Sequence, residues 1–256
     1  MSDWIREAGL ELEAPVASVA TLSGRMAAMV RDALYEGRLK PGDTLGTEKD
    51  LAAAFGVSRM AARDAMKRLE AGGIVEIKVG AGGGARIARG NPQMLADALA
   101  VQLKLIGASV AEIMDAQRAV ETMTAELAAV HANDADYARM DALLAEAEAK
   151  LGGDVDAYTA VSQAFHLAVA EAAHNTVLKV QLISLQHVAW PARNRTLTPE
   201  VAEHILKLHR EIYVLLRARD ATGARELMSR HLKQIRARRV AEAGETNEAA
   251  AEAVCC

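Results

Sequence analysis

Between Thr47 and Ala88 the chain is cut by glycines at short intervals, and this punctuation narrows the folds open to it more than any other feature. Thr47-Glu48-Lys49-Asp50 opens the first piece. A threonine there can accept from a free helical N–H, and the acid three residues on supplies part of a capping box. Leu51, Ala52 and Phe55 follow on one face, and Gly56 ends the run. Val57 reads as a buried turn residue, and Ser58 as the cap of a second helix from Arg59 to Ala71, stopped by Gly72-Gly73. In that helix Met66 and Leu69 form the inner side, while Arg59, Arg63 and Lys67 recur every four residues on another face. Ile74 to Val79 reads as a strand, Gly80-Ala81-Gly82-Gly83-Gly84 as a turn, and Ala85 to Ala88 as the return strand. Helix, glycine turn, helix, hairpin is the order of a winged helix-turn-helix. A preceding helix is predicted over 22–36 from Leu22, Met26, Met29, Val30, Ala33 and Leu34, followed by a turn at Pro41-Gly42.

In such a unit Arg59, Arg63 and Lys67 face the groove and phosphates of duplex DNA, and the wing glycines let backbone amides come close to it. Any one piece alone would read as a charged solvent face beside a loop. The ordered set does not. Charge agrees: residues 18–90 carry 12 Lys and Arg against 8 Asp and Glu, net +4. Residues 91–256 carry 17 against 22, net −5, and residues 1–17 carry 1 against 4, net −3. The net-positive segment is the one with the motif, the polarity that steering toward phosphates favours.

The stretch GRLKPGDTLGTEKDLAAAFGVSRMAARDAMKRLEAGGIVEIKVGAGGGARIA resembles the N-terminal domain of the GntR family of regulators. The resemblance implies DNA contact by Lys49, Ser58, Arg59, Arg63 and, in the wing, Gly80. Met60-Ala61-Ala62 is less polar than many relatives show there, which implies a partly different base readout.

Asn91-Pro92 reads as a linker, and from Met94 to Arg239 the pattern is almost wholly helical. Breaks at Gly107-Ala108-Ser109, His131 to Asp134, Gly152-Gly153-Asp154, Asn175, Pro191, Pro199 and Asp220 divide it into six or seven helices. The fold class expected is mostly α: a winged helix-turn-helix over 18–90, after a disordered lead-in at 1–17, and an all-helical bundle over 91–240, before a disordered tail at 241–256. His209 lies four residues after Ile205 and three before Ile212; His231 lies four after Leu227 and four before Ile235. Both therefore point inward, and His166 joins from a third helix. Three imidazoles converging in a core suit Zn²⁺ or a similar divalent ion; three separately satisfied core histidines are the alternative. His131, His174, His187 and His204 read as surface or loop residues.

EIMDAQRAVE, FHLAVAEAAHNTVL and LHREIYVLLRARDATGARELMSRHL resemble the FCD ligand-binding domain that marks the FadR-like branch of the GntR family. In its metal-binding members three histidines and an Asp four residues before the first hold the ion. The resemblance places His166, His209 and His231 at the histidine positions and Ser162 at the Asp position. It also implies that Arg118 lines an effector pocket, where it would pair with a carboxylate; a salt bridge to Glu121 or Glu112 on its own helix is the alternative.

The function expected is a homodimeric, effector-responsive regulator, a repressor, bound to a palindromic operator and to a small carboxylate. It is not expected to be an enzyme. A metal-dependent enzyme or a ligand-free architectural DNA-binding protein are the competing readings. Acidic residues at the start, no apolar run long enough for a membrane span, and cysteines only at 255 and 256 predict a cytoplasmic protein without a disulfide framework.

Overall fold

The computed structural model describes residues 21–78, 80, 83–189 and 197–254. The expected lead-in at 1–17, Ala81 and Gly82 of the wing turn, and the two cysteines lie outside these. The chain divides into two compact units, Met1–Asn91 and Pro92–Cys256.

The first unit is built from α1 (Leu22–Tyr35), β1 (Thr44–Gly46), α2 (Glu48–Phe55), α3 (Arg59–Ala71), β2 (Val75–Lys78) and β3 (Gly84–Ile87). Each helix start has a side-chain cap: Thr21 for α1, Thr47 for α2 and Ser58 for α3. At Thr47 the box is complete, because Asp50 also accepts from the Thr47 backbone N–H at 2.8 Å. Gly56, left-handed at φ 64°, ends α2 and sets the tight turn into α3. α1 and α2 both pack on α3 around Met26, Val30, Leu51, Phe55, Met66 and Leu69. The strands form an antiparallel sheet in the order β1-β3-β2, pairing Val75 with Ile87 and Ile77 with Ala85. Val75, Ala85 and Ile87 are buried in the same core. The hairpin was expected; β1 was not. Three residues with a glycine at the third show too little alternation to read as a strand.

Gly84 pins this sheet. Its φ is +140°, and a Cβ there would stand 2.7 Å from the Gly46 carbonyl oxygen of the neighbouring strand. Gly84→Ala is therefore expected to cost about 1–3 kcal/mol, read as a lower denaturation midpoint of this unit. An unchanged midpoint would mean that the sheet yields without strain.

The second unit has seven helices among the described residues: α4 (Pro92–Leu105), α5 (Val110–His131), α6 (Asp134–Ala149), α7 (Val155–Ala172), α8 (Thr176–Ala189), α9 (Pro199–Arg217) and α10 (Ala221–Val254). Ser109 with Glu112 and Asn133 with Asp136 form capping boxes at α5 and α6, and Asp154 and Thr198 cap α7 and α9. Asp220 accepts from Gly223 N at the start of α10. α5 packs against α7, α8, α9 and α10. Between α9 and α10, Arg219 is left-handed at φ 59°. Its guanidinium donates to the carbonyls of Ala129, Val130 and Ala132 at 2.8–3.2 Å, so it ties this turn to the end of α5. α10 runs on to Val254, where an unordered tail was expected from 241. Ala and Glu, which dominate that stretch, are good helix formers.

Candidate functional site

The recognition face comes from two helix starts. Lys49 lies in the first turn of α2, and Arg59, Arg63 and Lys67 follow along one side of α3; all four are exposed. Ser58 spends its oxygen lone pair on Ala61 N at 3.2 Å, so its hydroxyl proton stays available for a phosphate. Gly80 is exposed, with φ +109°. Met60, at 74% exposure, adds an apolar side chain to the first turn of α3, whereas Ala62 is buried and serves the core. One contact was not foreseen. Arg63 donates from Nε and Nη2 to the two Glu48 oxygens, both at 2.9 Å. These hydrogen bonds hold the Glu48 carboxyl below its usual range and raise Arg63 further. The fork fixes the guanidinium plane and leaves Nη1 to point elsewhere.

The second site lies inside the helical unit. His166 on α7, His209 on α9 and His231 on α10 are all buried, and their Nε2 atoms face one another. The separations are 3.1 Å for His209 to His166, 3.1 Å for His209 to His231 and 3.4 Å for His231 to His166. Three nitrogens bound tetrahedrally to one zinc would stand roughly 3.3–3.4 Å apart, so the spacing fits one shared ion. The chemistry fits as well. Burial, followed by the charges of His166 and His231, pushes His209 well below the ordinary imidazole range. Burial, His166, Arg238 and His204 do the same to His231. Both rings are therefore neutral, the form that binds metals. Phe165 stacks on His209 with centroids 4.5 Å apart, which fixes the ring plane.

His166 has a further partner. Its Nδ1 meets Glu121 Oε2, and the other Glu121 oxygen accepts from Gln117 Nε2 at 2.6 Å. Glu121 and Gln117 are each 1% exposed. Sequence reasoning weighed Glu121 only as a partner for Arg118. A signal was present: Met114, Gln117, Glu121 and Ala125 repeat at helical spacing, so two polar residues interrupt an inward stripe.

Next to His166 is a cavity of about 40 Å³ lined by Ser162, Gln163, Tyr158, Ile235, Arg238 and others. That volume is room for about three water-sized groups. Gln163 Nε2 is buried there without a hydrogen-bond partner, and burial lowers the pKa of the half-buried Arg238 guanidinium. Arg118 is not part of this cavity. It lines a separate open groove of about 780 Å³ with Thr122, Arg225, Arg230 and Lys233, and none of the three imidazoles lines that groove. Its charged neighbour is Asp115, at 3.7 Å, rather than Glu121 or Glu112. The other histidines stand apart: His174 contacts Asp136 at 2.8 Å, His204 contacts Gln234 at 3.3 Å, and His131 is exposed. The side chain of His187 lies outside the described residues.

Both units of the chain are similar in sequence to known proteins. Residues 22–84 match the model for bacterial regulatory proteins of the gntR family, and residues 112–234 match the FCD domain. The HTH-type transcriptional regulator LutR of Bacillus subtilis is 30% identical, over 79% of this chain and 94% of its own length. The Uxu operon transcriptional regulator of Escherichia coli is 28% identical, over 82% of this chain and 84% of its own. Among solved structures, Streptococcus agalactiae GntR superimposes with a TM-score of 0.60 at 19% identity, covering 84% of this chain and 98% of that one, a likeness of fold.

Proposed function

Since this chain belongs to the gntR family of bacterial regulatory proteins, we propose that it is a homodimeric repressor, released from a palindromic operator by a small carboxylate bound beside a zinc ion. As a family member it is a DNA-binding transcription regulator with an FCD effector-binding domain, and not an enzyme. Among the described residues no helix is long and apolar enough to cross a membrane.

The observation that carries the proposal is the convergence of three buried imidazoles, one of which, His166, lines a small cavity. An all-imidazole donor set suits Zn²⁺ among the common divalent ions. His166, His209 and His231 would hold it, and the ion would supply Lewis acidity toward a carboxylate oxygen. Ser162, at the position where the family's metal-binding members carry a carboxylate, is a neutral hydroxyl on the cavity wall and leaves room for that oxygen. The Gln163 amide lacks a partner and would donate to the ligand, and Arg238 would balance its charge. The cavity volume favours an acid of few heavy atoms. Arg118, in its open groove, is not given the effector role in this reading. At the other site Lys49, Ser58, Arg59, Lys67 and the Gly80 backbone would hold phosphates, Arg63 would read a base edge, and Met60 would meet a thymine methyl. An effector that binds one dimer state better shifts the population away from the operator-bound one.

Mobility shifts at matched salt test the regulator reading, with DNA from upstream of the protein's own gene competing against random DNA. Preferential binding, relieved by a small hydroxy- or keto-acid only when zinc is present, is expected. Equal affinity for both DNAs would sink the operator claim, and relief that is indifferent to zinc would sink the metal claim.

A further inference from the structure

Imidazole ligands bring no negative charge to a divalent cation, and Ser162 brings none either. Burying an uncompensated double charge in this core would be costly. Among the described residues, the carboxylate that touches the imidazole set is that of Glu121. It cannot be a ligand from where it stands, because it meets His166 at Nδ1 while Nε2 faces the other two rings. It is itself 1% exposed, and both its oxygens are used, one by His166 and one by Gln117. A carboxylate accepting from Nδ1–H selects the tautomer that leaves Nε2 as a lone pair and makes that lone pair more basic.

We propose that Glu121, held by Gln117, is the positioning and charge-compensating residue of the metal centre. It acts through the His166 ring and so allows position 162 to remain a neutral serine. The inference rests on the zinc reading above. It assigns to α5 a part in a site whose ligands lie on α7, α9 and α10.

Zinc affinity of the full chain, measured by competition with a chromophoric chelator, tests it alongside circular dichroism of the metal-free proteins. Glu121→Gln is expected to weaken zinc binding about 10- to 100-fold with an unchanged helical spectrum. Adding Ser162→Asp, which places a carboxylate one helical turn before His166, is expected to restore most of that loss; a purely structural defect at Glu121 would not be restored. Affinity within twofold of the parent in Glu121→Gln overturns the proposal, and so does a loss that Ser162→Asp leaves untouched. If Glu121→Gln does not fold, Gln117→Leu releases one side of the carboxylate, and parental affinity there overturns it equally. A parent that binds no zinc removes the zinc reading and this inference together; a parent that binds zinc beside an equally tight Glu121→Gln removes the inference alone.

Discussion

With alanine in place of His209, zinc is expected to stop stabilising the protein. His209 is the middle member of the set, with its Nε2 3.1 Å from each of the other two, while the outer pair are 3.4 Å apart. Its loss leaves two ligands on different helices and, among the described residues, no third imidazole in the cluster. At zinc a hundredfold above its dissociation constant, an intact site adds about 2.7 kcal/mol to the folding stability, and His209→Ala should forgo all of it. The substitution also opens a void against Phe165, which stacks on the ring, so the metal-free protein should melt lower as well. The diagnostic quantity is therefore the difference between melts with and without zinc. A positive difference surviving in His209→Ala, or elemental analysis finding no metal in the parent, would end the metal assignment.

Arg63→Ala is expected to weaken operator binding about 5- to 150-fold, the range for losing one base-reading arginine, while binding to random DNA falls much less. Lys67→Ala should instead weaken both alike and reduce the salt slope by about one. The Glu48 fork gives this contrast a second arm. Because it orders the Arg63 guanidinium before DNA arrives, Glu48→Gln should erode specificity more than total affinity. Equal losses on operator and random DNA in Arg63→Ala would make that arginine a phosphate contact.

The parts legible in the sequence are those set by local chemistry. Thr47 and Ser58 cap as their side chains require, Gly56 and Gly72-Gly73 stop helices, and Asp220 starts one. The three inward histidines follow from helical spacing among apolar neighbours. What escaped depends on neighbours distant in sequence. β1 exists because β3 offers it a partner, and three residues carry no period of their own. Arg118 follows Gln117 by one residue, a rotation of about 100°, so it leaves the inward stripe and faces the outer groove with α10. Glu121 could be placed inside by phase, but its meeting with His166, 45 residues away, could not.

The clamp at Arg219 bears on how this domain can be handled as a module. His209 and His231 sit on either side of the turn that Arg219 fastens to the last carbonyls of α5, and His166 leans on Glu121 of the same helix. Both halves of the ligand set are thus surveyed from one helix that contributes no ligand. A chimaera joining this sensor to another DNA reader must keep α5 whole from its Ser109 cap. A junction inside that helix would transplant every histidine and lose the reference that aligns them.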